Sequence, residues 1–200
     1  LKYKPHKNNM NMKNNKIHLV LLLSICFIYV YPQQSLVFVE AESFQDRGGW
    51  VIDQQTMEVI NSSYLMAHGL GVPVQDATTT VTIPSKGDYR VWVRTKNWVA
   101  PWAPKEDPPG KFQLLFNNEL KTKTIFGTEN AEWHWQDGGT VFLNEGKCRL
   151  SLHDMTGFNG RCDAILLTNY TKFLPTNDNN TSSDFRKRWL NLKEPHIAGE

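Results

Sequence analysis

The sequence predicts an all-β chain, an antiparallel β-sandwich of jelly-roll-like type, with one short helix in a C-terminal linker. Three observations carry this. Residues 88–98, DYRVWVRTKNW, alternate with period two: Tyr89, Val91, Val93 and Thr95 share one side, and Arg90, Trp92, Arg94 and Lys96 share the other. Further short apolar runs are separated by Gly-, Asn- and Asp-rich turn signals about every ten residues, the spacing of a sandwich or barrel. No apolar stripe of helical period and useful length occurs before residue 182.

The 200 residues allow one ordinary domain with extensions, and the formal net charge of +2 gives no basic patch for nucleic acid. Met10 or Met12 is a credible start, and residues 1–11 are expected to be an extension or reading-frame artefact. Residues 12–35 have the form of a secretory signal peptide: Lys13 and Lys16 lead an apolar core over 17–31, and Pro32 breaks it. That core falls short of the roughly 20 apolar residues of a stable span, so no membrane anchor is expected. Export places the mature chain outside the cytoplasm, secreted or periplasmic, and leaves Cys148 and Cys162 either bridged or as two buried thiols.

The sandwich is expected over 36–170. LVFVEAE (36–42) reads as the first strand, and WVID (50–53) follows a Gly-Gly turn. MEVI (57–60) reads as a weak strand, and residues 77–83 as a Thr-rich strand with one wet face. Residues 88–96 form the central strand, apolar inside and cationic outside, and its end runs into a long proline-stiffened loop over 99–110. Residues 112–116 and 122–126 flank Asn117-Asn118 as a hairpin. EWHW (132–135), a turn at Asp137-Gly-Gly139 and TVFL (140–143) follow, and residues 147–153 and 161–168 are expected to pair about Gly157. Residues 171–200 read as a polar linker with one short helix over 185–192, leading to a further domain.

Segments 39–55, 64–102, 110–117, 126–140 and 152–168 resemble the N-terminal domain of secreted bacterial FAD-dependent oxidoreductases. That domain is similar to the golvesin and xanthan-lyase carbohydrate-binding-like β-sandwich. The resemblance covers roughly residues 37–195. It implies a non-catalytic accessory domain that docks on a flavin domain in cis, holds a glycan near it, or both. FAD would belong to that following domain, because no Gly-x-Gly-x-x-Gly follows a strand here. A free-standing carbohydrate-binding module is the alternative.

Two sets of residues stand out as sites. Trp98, Trp102, Trp133, His134 and Trp135 lie at expected strand ends or in loops, where indole faces stack on a pyranose or bury against a neighbouring domain. Arg94, Asp137 and Glu132 would bond sugar hydroxyls. Glu40 and Glu42, two apart on a strand, with Asp163 on the last strand, resemble the calcium site at the rim of carbohydrate-binding sandwiches. The loop 153–161 (HDMTGFNGR) is a candidate contact loop with Phe158 exposed at its tip. No HExxH, GxSxG or phosphate-loop motif occurs, so no residue is assigned to catalysis.

Overall fold

The computed structural model describes residues 34–103, 107–170 and 172–176. Most of the expected leader and the helix expected over 185–192 lie outside the described residues. The described elements are β1 (Leu36–Glu40), a 3-10 turn (Ala41–Ser43), β2 (Trp50–Asp53), α1 (Met57–Ile60), β3 (Tyr64–His68), β4 (Ala77–Ile83), β5 (Gly87–Thr95), β6 (Phe112–Phe116), β7 (His134–Leu143), β8 (Gly146–Asp154) and β9 (Phe158–Thr168). They form two antiparallel sheets. One runs β2-β3-β9-β5-β7, with β1 also on β9, and the other runs β4-β8-β6.

The inner faces pack as alternation predicts. Val91 and Val93 of β5, Ile165 and Leu167 of β9, and Leu150 and Leu152 of β8 meet in one core. Phe112 anchors its loop end, with Trp50 edge-on at 5.5 Å and Phe126 at 5.6 Å. The expected wet face of β4 is present: Thr80 and Thr82 are exposed, while Ala77, Thr79 and Ile83 are buried.

Several expectations are corrected. The outer side of β5 is not simply cationic and solvated. Trp92 is 8% exposed and Arg94 is 1% exposed. Trp92 joins Phe38, Trp135, Ala164 and Leu166 in a second apolar cluster on the far side of the sheet, with Phe173 packed against it. Residues 57–60 form one helical turn instead of a strand, closed by Asn61 at φ 60°, whose N–H donates to Met57 O at 2.7 Å. The first strand ends at Glu40, and Glu42 sits in the 3-10 turn.

Asn117 and Asn118 do form a tight turn, both with positive φ, and Phe116 and Glu119 exchange backbone bonds of 2.9 and 3.0 Å. The return segment 122–126 leaves that ladder, keeping only the Phe112–Phe126 bridge. It is drawn toward β7 instead: Thr122 Oγ1 donates to Gly138 O, and Gln136 Nε2 donates to Ile125 O at 2.8 Å. The turn expected at 137–139 is a bulge within one continuous strand. Val91 lies opposite Gly139 and Trp92 opposite Asp137, so Gly138 is the extra residue. A Cβ on Gly138 would approach Val91 Cγ1 to 2.8 Å and Phe126 Cζ to 2.9 Å.

The expected pairing of β8 with β9 does not form. β8 lies between β4 and β6, and β9 lies in the other sheet, so the 154–158 connection crosses from one layer to the other. The reason is the composition of β9. It is apolar on both faces, which suits a strand covered on both sides. Cys148 and Cys162 are both buried and free. Burial first, and then the negative charges of Asp163 and Glu42, push the Cys162 thiol well above its ordinary range.

Phe112 is fully buried where both sheets meet the loops. Phe112→Ala is expected to cost about 3–5 kcal/mol of stability, read as a lower urea midpoint at unchanged m-value.

Candidate functional site: an aromatic surface at the loop end

Three connections converge beyond the ends of β3, β5 and β8: residues 69–76, 96–103 with 107–111, and 155–157. A single carboxylate ties the first and the last of them together. Asp154, 1% exposed, ends β8. Its Oδ2 accepts from Val74 N at 2.9 Å, its Oδ1 from Thr156 N at 3.1 Å, and both oxygens from Gly157 N at 3.0 and 2.9 Å. Backbone donors thus satisfy the buried charge without a side-chain cation.

Gly157 extends the lock. Its carbonyl accepts from Gly69 N at 2.9 Å and Gly71 N at 3.1 Å. It has φ +65°, and a Cβ there would meet Val72 O at 2.0 Å, so only glycine fits. The proline-rich loop is held from the same place, because Thr156 Oγ1 donates to Pro109 O and Met155 N donates to Lys111 O at 3.1 Å.

The aromatic side chains stand on this frame. Trp98 follows β5 and stacks on Phe158, with ring centres 6.0 Å apart and planes at 16°. Its indole N–H donates to Phe158 O at 3.2 Å. The Arg161 guanidinium lies 5.2 Å from the Trp98 ring centre, and Arg161 Nη1 donates to Asn159 O at 3.0 Å. Trp102 meets Trp98 edge-on at 6.4 Å and is itself 76% exposed; Phe158 is 43% exposed. Leu70 and Val72 are exposed on the neighbouring loop, and His68 Nδ1 lies 2.9 Å from Asn159 Oδ1. The result is an open apolar corner edged by an amide, an imidazole and a guanidinium. Burial lowers the nearby Lys96 ammonium, with Glu132 opposing that shift.

The residues singled out from the sequence therefore separate. Trp98 and Trp102 come together here, with Phe158 from the candidate loop. Trp133, His134 and Trp135 do not belong to this surface and are buried. Trp133 packs on Tyr64 at 4.9 Å and donates to Thr56 Oγ1 at 3.1 Å. His134 Nδ1 donates to Glu132 O at 2.9 Å, and its Nε2 lies 3.4 Å from Glu129 Oε2. Trp135 packs edge-on against Phe38 at 6.4 Å. Asp137 pairs with Arg90 through two bonds, one of them Nε to Oδ1 at 2.8 Å, and also accepts from Gly139 N to hold the bulge. Arg94 faces Asp163 in the interior. The sequence alone did not single out Asp154 as a loop anchor or the exposure of Leu70 and Val72. The Asp-x-Thr-Gly order at 154–157 carried the signal for the first.

Glu40, Glu42 and Asp163 do not form a ligand set of three: among the described residues no group of three or more His, Cys, Asp or Glu is arranged to hold a metal. Asp163 Oδ1 accepts from Ser62 Oγ at 2.7 Å and Oδ2 lies 3.2 Å from Arg94 Nη1.

No protein-family pattern and no curated protein matches the chain. Solved structures do. A family 35 carbohydrate-binding module from Clostridium thermocellum superposes with a TM-score of 0.52 at 18% identity, over 66% of this chain and 97% of that one. The C-terminal CBM6 of LamC, a marine laminarinase from Zobellia galactanivorans, gives 0.51 at 15% identity, over 67% of this chain and 99% of that one. The sequence shares the fold of these modules. The GH26-CBM35 β-(1,4)-mannanase of Podospora anserina gives 0.51 at 18% identity over 66% of this chain, which spans only 27% of the mannanase. These likenesses establish the β-sandwich architecture.

Because four backbone N–H contacts converge on Asp154, Asp154→Asn is expected to lose about 1–3 kcal/mol. Amide exchange should rise most at Val74 and Gly157, where local opening adds to the global loss.

Proposed function

We propose that this chain is a non-catalytic carbohydrate-binding β-sandwich whose ligand lies against Trp102 and Phe158. The observation that carries the reading is the exposure of these two rings on loops anchored by Asp154. A pyranose presents a C–H face that stacks on an indole, while its equatorial hydroxyls reach sideways to polar groups. Asn159, His68 and Arg161 supply those groups at the edge of the corner. A surface fixed before the ligand arrives loses little conformational entropy on binding. The shared architecture with family 35 and CBM6 modules supports the same reading.

The wider setting is the one the sequence resemblance implies. The sandwich would be exported and would accompany a flavin-dependent oxidoreductase domain, holding a glycan for it or docking on it. FAD would be held by that separate domain. Docking would use the same Trp102 and Phe158 surface, since Trp133 and Trp135 are already packed.

Affinity electrophoresis and calorimetry against soluble polysaccharides test the proposal, with β-1,4-mannan and a β-1,3-glucan in the panel. Binding to at least one is expected. Trp102→Ala should weaken it about tenfold or more, the scale of one lost stacking contact and its buried area, without lowering Tm. No binding across neutral and acidic glycans would overturn the glycan reading and leave docking to be tested with a flavin domain.

A further inference from the structure

We propose that Arg94 is a built-in cation for the buried Asp163 carboxylate, and that the sandwich therefore folds without a divalent metal at this place. The inference stands on the interior of the sheet and is independent of the glycan reading.

Register places the groups. Glu40 lies opposite Ala164 across β1 and β9, and Ala164 lies opposite Arg94 across β9 and β5. The next ladder pair is Thr95 with Cys162, so Asp163 is the extra residue of a bulge in β9. The bulge turns the Asp163 side chain to Arg94, with the carboxylate and guanidinium 0% and 1% exposed.

The donor set argues against calcium here. Calcium takes six to eight oxygens at close range. Both Asp163 oxygens are in use, one by the Ser62 hydroxyl and one by Arg94. A divalent ion on this carboxylate would sit beside a buried guanidinium, where low dielectric strengthens repulsion between like charges. A guanidinium suits the role well. It is planar, weakly hydrated and always charged, so it tolerates burial beside carboxylates.

The test compares the full chain in chelator and in millimolar calcium. The wild-type Tm is expected to move by less than about 1 °C, and calorimetry to show no one-to-one site. Arg94→Met should lower Tm, and adding Asp163→Asn should recover part of the loss, because it removes the stranded charge. Purely steric packing of Arg94 would give no recovery, and that result would overturn the proposal. So would a wild-type Tm that rises several degrees with calcium and loses the rise in Asp163→Asn. Should Arg94→Met not fold, the wild-type titration decides alone.

Discussion

Between Cys162 and Thr168, strand β9 is paired on both edges and buried on both faces, and the rest of the sheet is arranged around that constraint. One edge pairs with β5 from Thr95–Cys162 to Arg90–Thr168. The other edge is divided: residues 158–162 pair with β3, and residues 164–168 pair with β1. Ile165 and Leu167 face the inter-sheet core, while Ala164 and Leu166 face Phe38, Trp92 and Trp135 on the far side. A one-residue slip would exchange these two apolar sets and carry Asp163 away from Arg94, so register is fixed from both faces. The bulge at Asp163 puts a charge inside that sheet. Arg94 answers it from β5, and the net gain of such a pair is small although breaking it is costly.

The same strand sets the loop end. β9 begins at Phe158 directly after a connection that changes sheets, and Asp154 closes β8 on the other side of that connection. Only four residues take part in the crossing and its immediate junction, 154–157, so its backbone donors fall within reach of one carboxylate. Phe158, and Trp98 stacked on it, are thereby placed by a strand start, a strand end and a buried acid.

The sandwich class was legible because period-two alternation and turn residues are local signals. The inward residues of β5, the Asn117-Asn118 turn and the wet Thr face of β4 all appear as local chemistry predicts. Sheet membership was not legible. The segments 147–153 and 161–168 look like a hairpin because they are adjacent, but two-sided burial of β9 and the Asp154 anchor send them to different layers. Gly138 and Gly139 read as a turn because a bulge uses the same residues, and the tight approach of Val91 and Phe126 decides between them. At the site, Trp98, Trp102 and Phe158 were visible as loop aromatics. The spacing of Trp133 and Trp135 suggested the same role, and only their contacts with Tyr64 and Phe38 show that they belong to the interior.

That division of the tryptophans separates rings that stabilise the fold from a ring that is left in water. Trp98 is engaged by Phe158 and Arg161 and gives its N–H to a backbone carbonyl, so it acts as the inner member that positions its neighbours. Trp102 touches Trp98 by an edge and keeps most of its surface in water. Exposing so large an apolar ring gives up burial free energy of roughly 1.5–3 kcal/mol that a core site would collect. A ring held exposed by a neighbour that is itself pinned forgoes that stabilisation at a fixed place and orientation. Trp102 reaches the rest of the corner through Trp98, which stacks on Phe158 and lies under the Arg161 guanidinium.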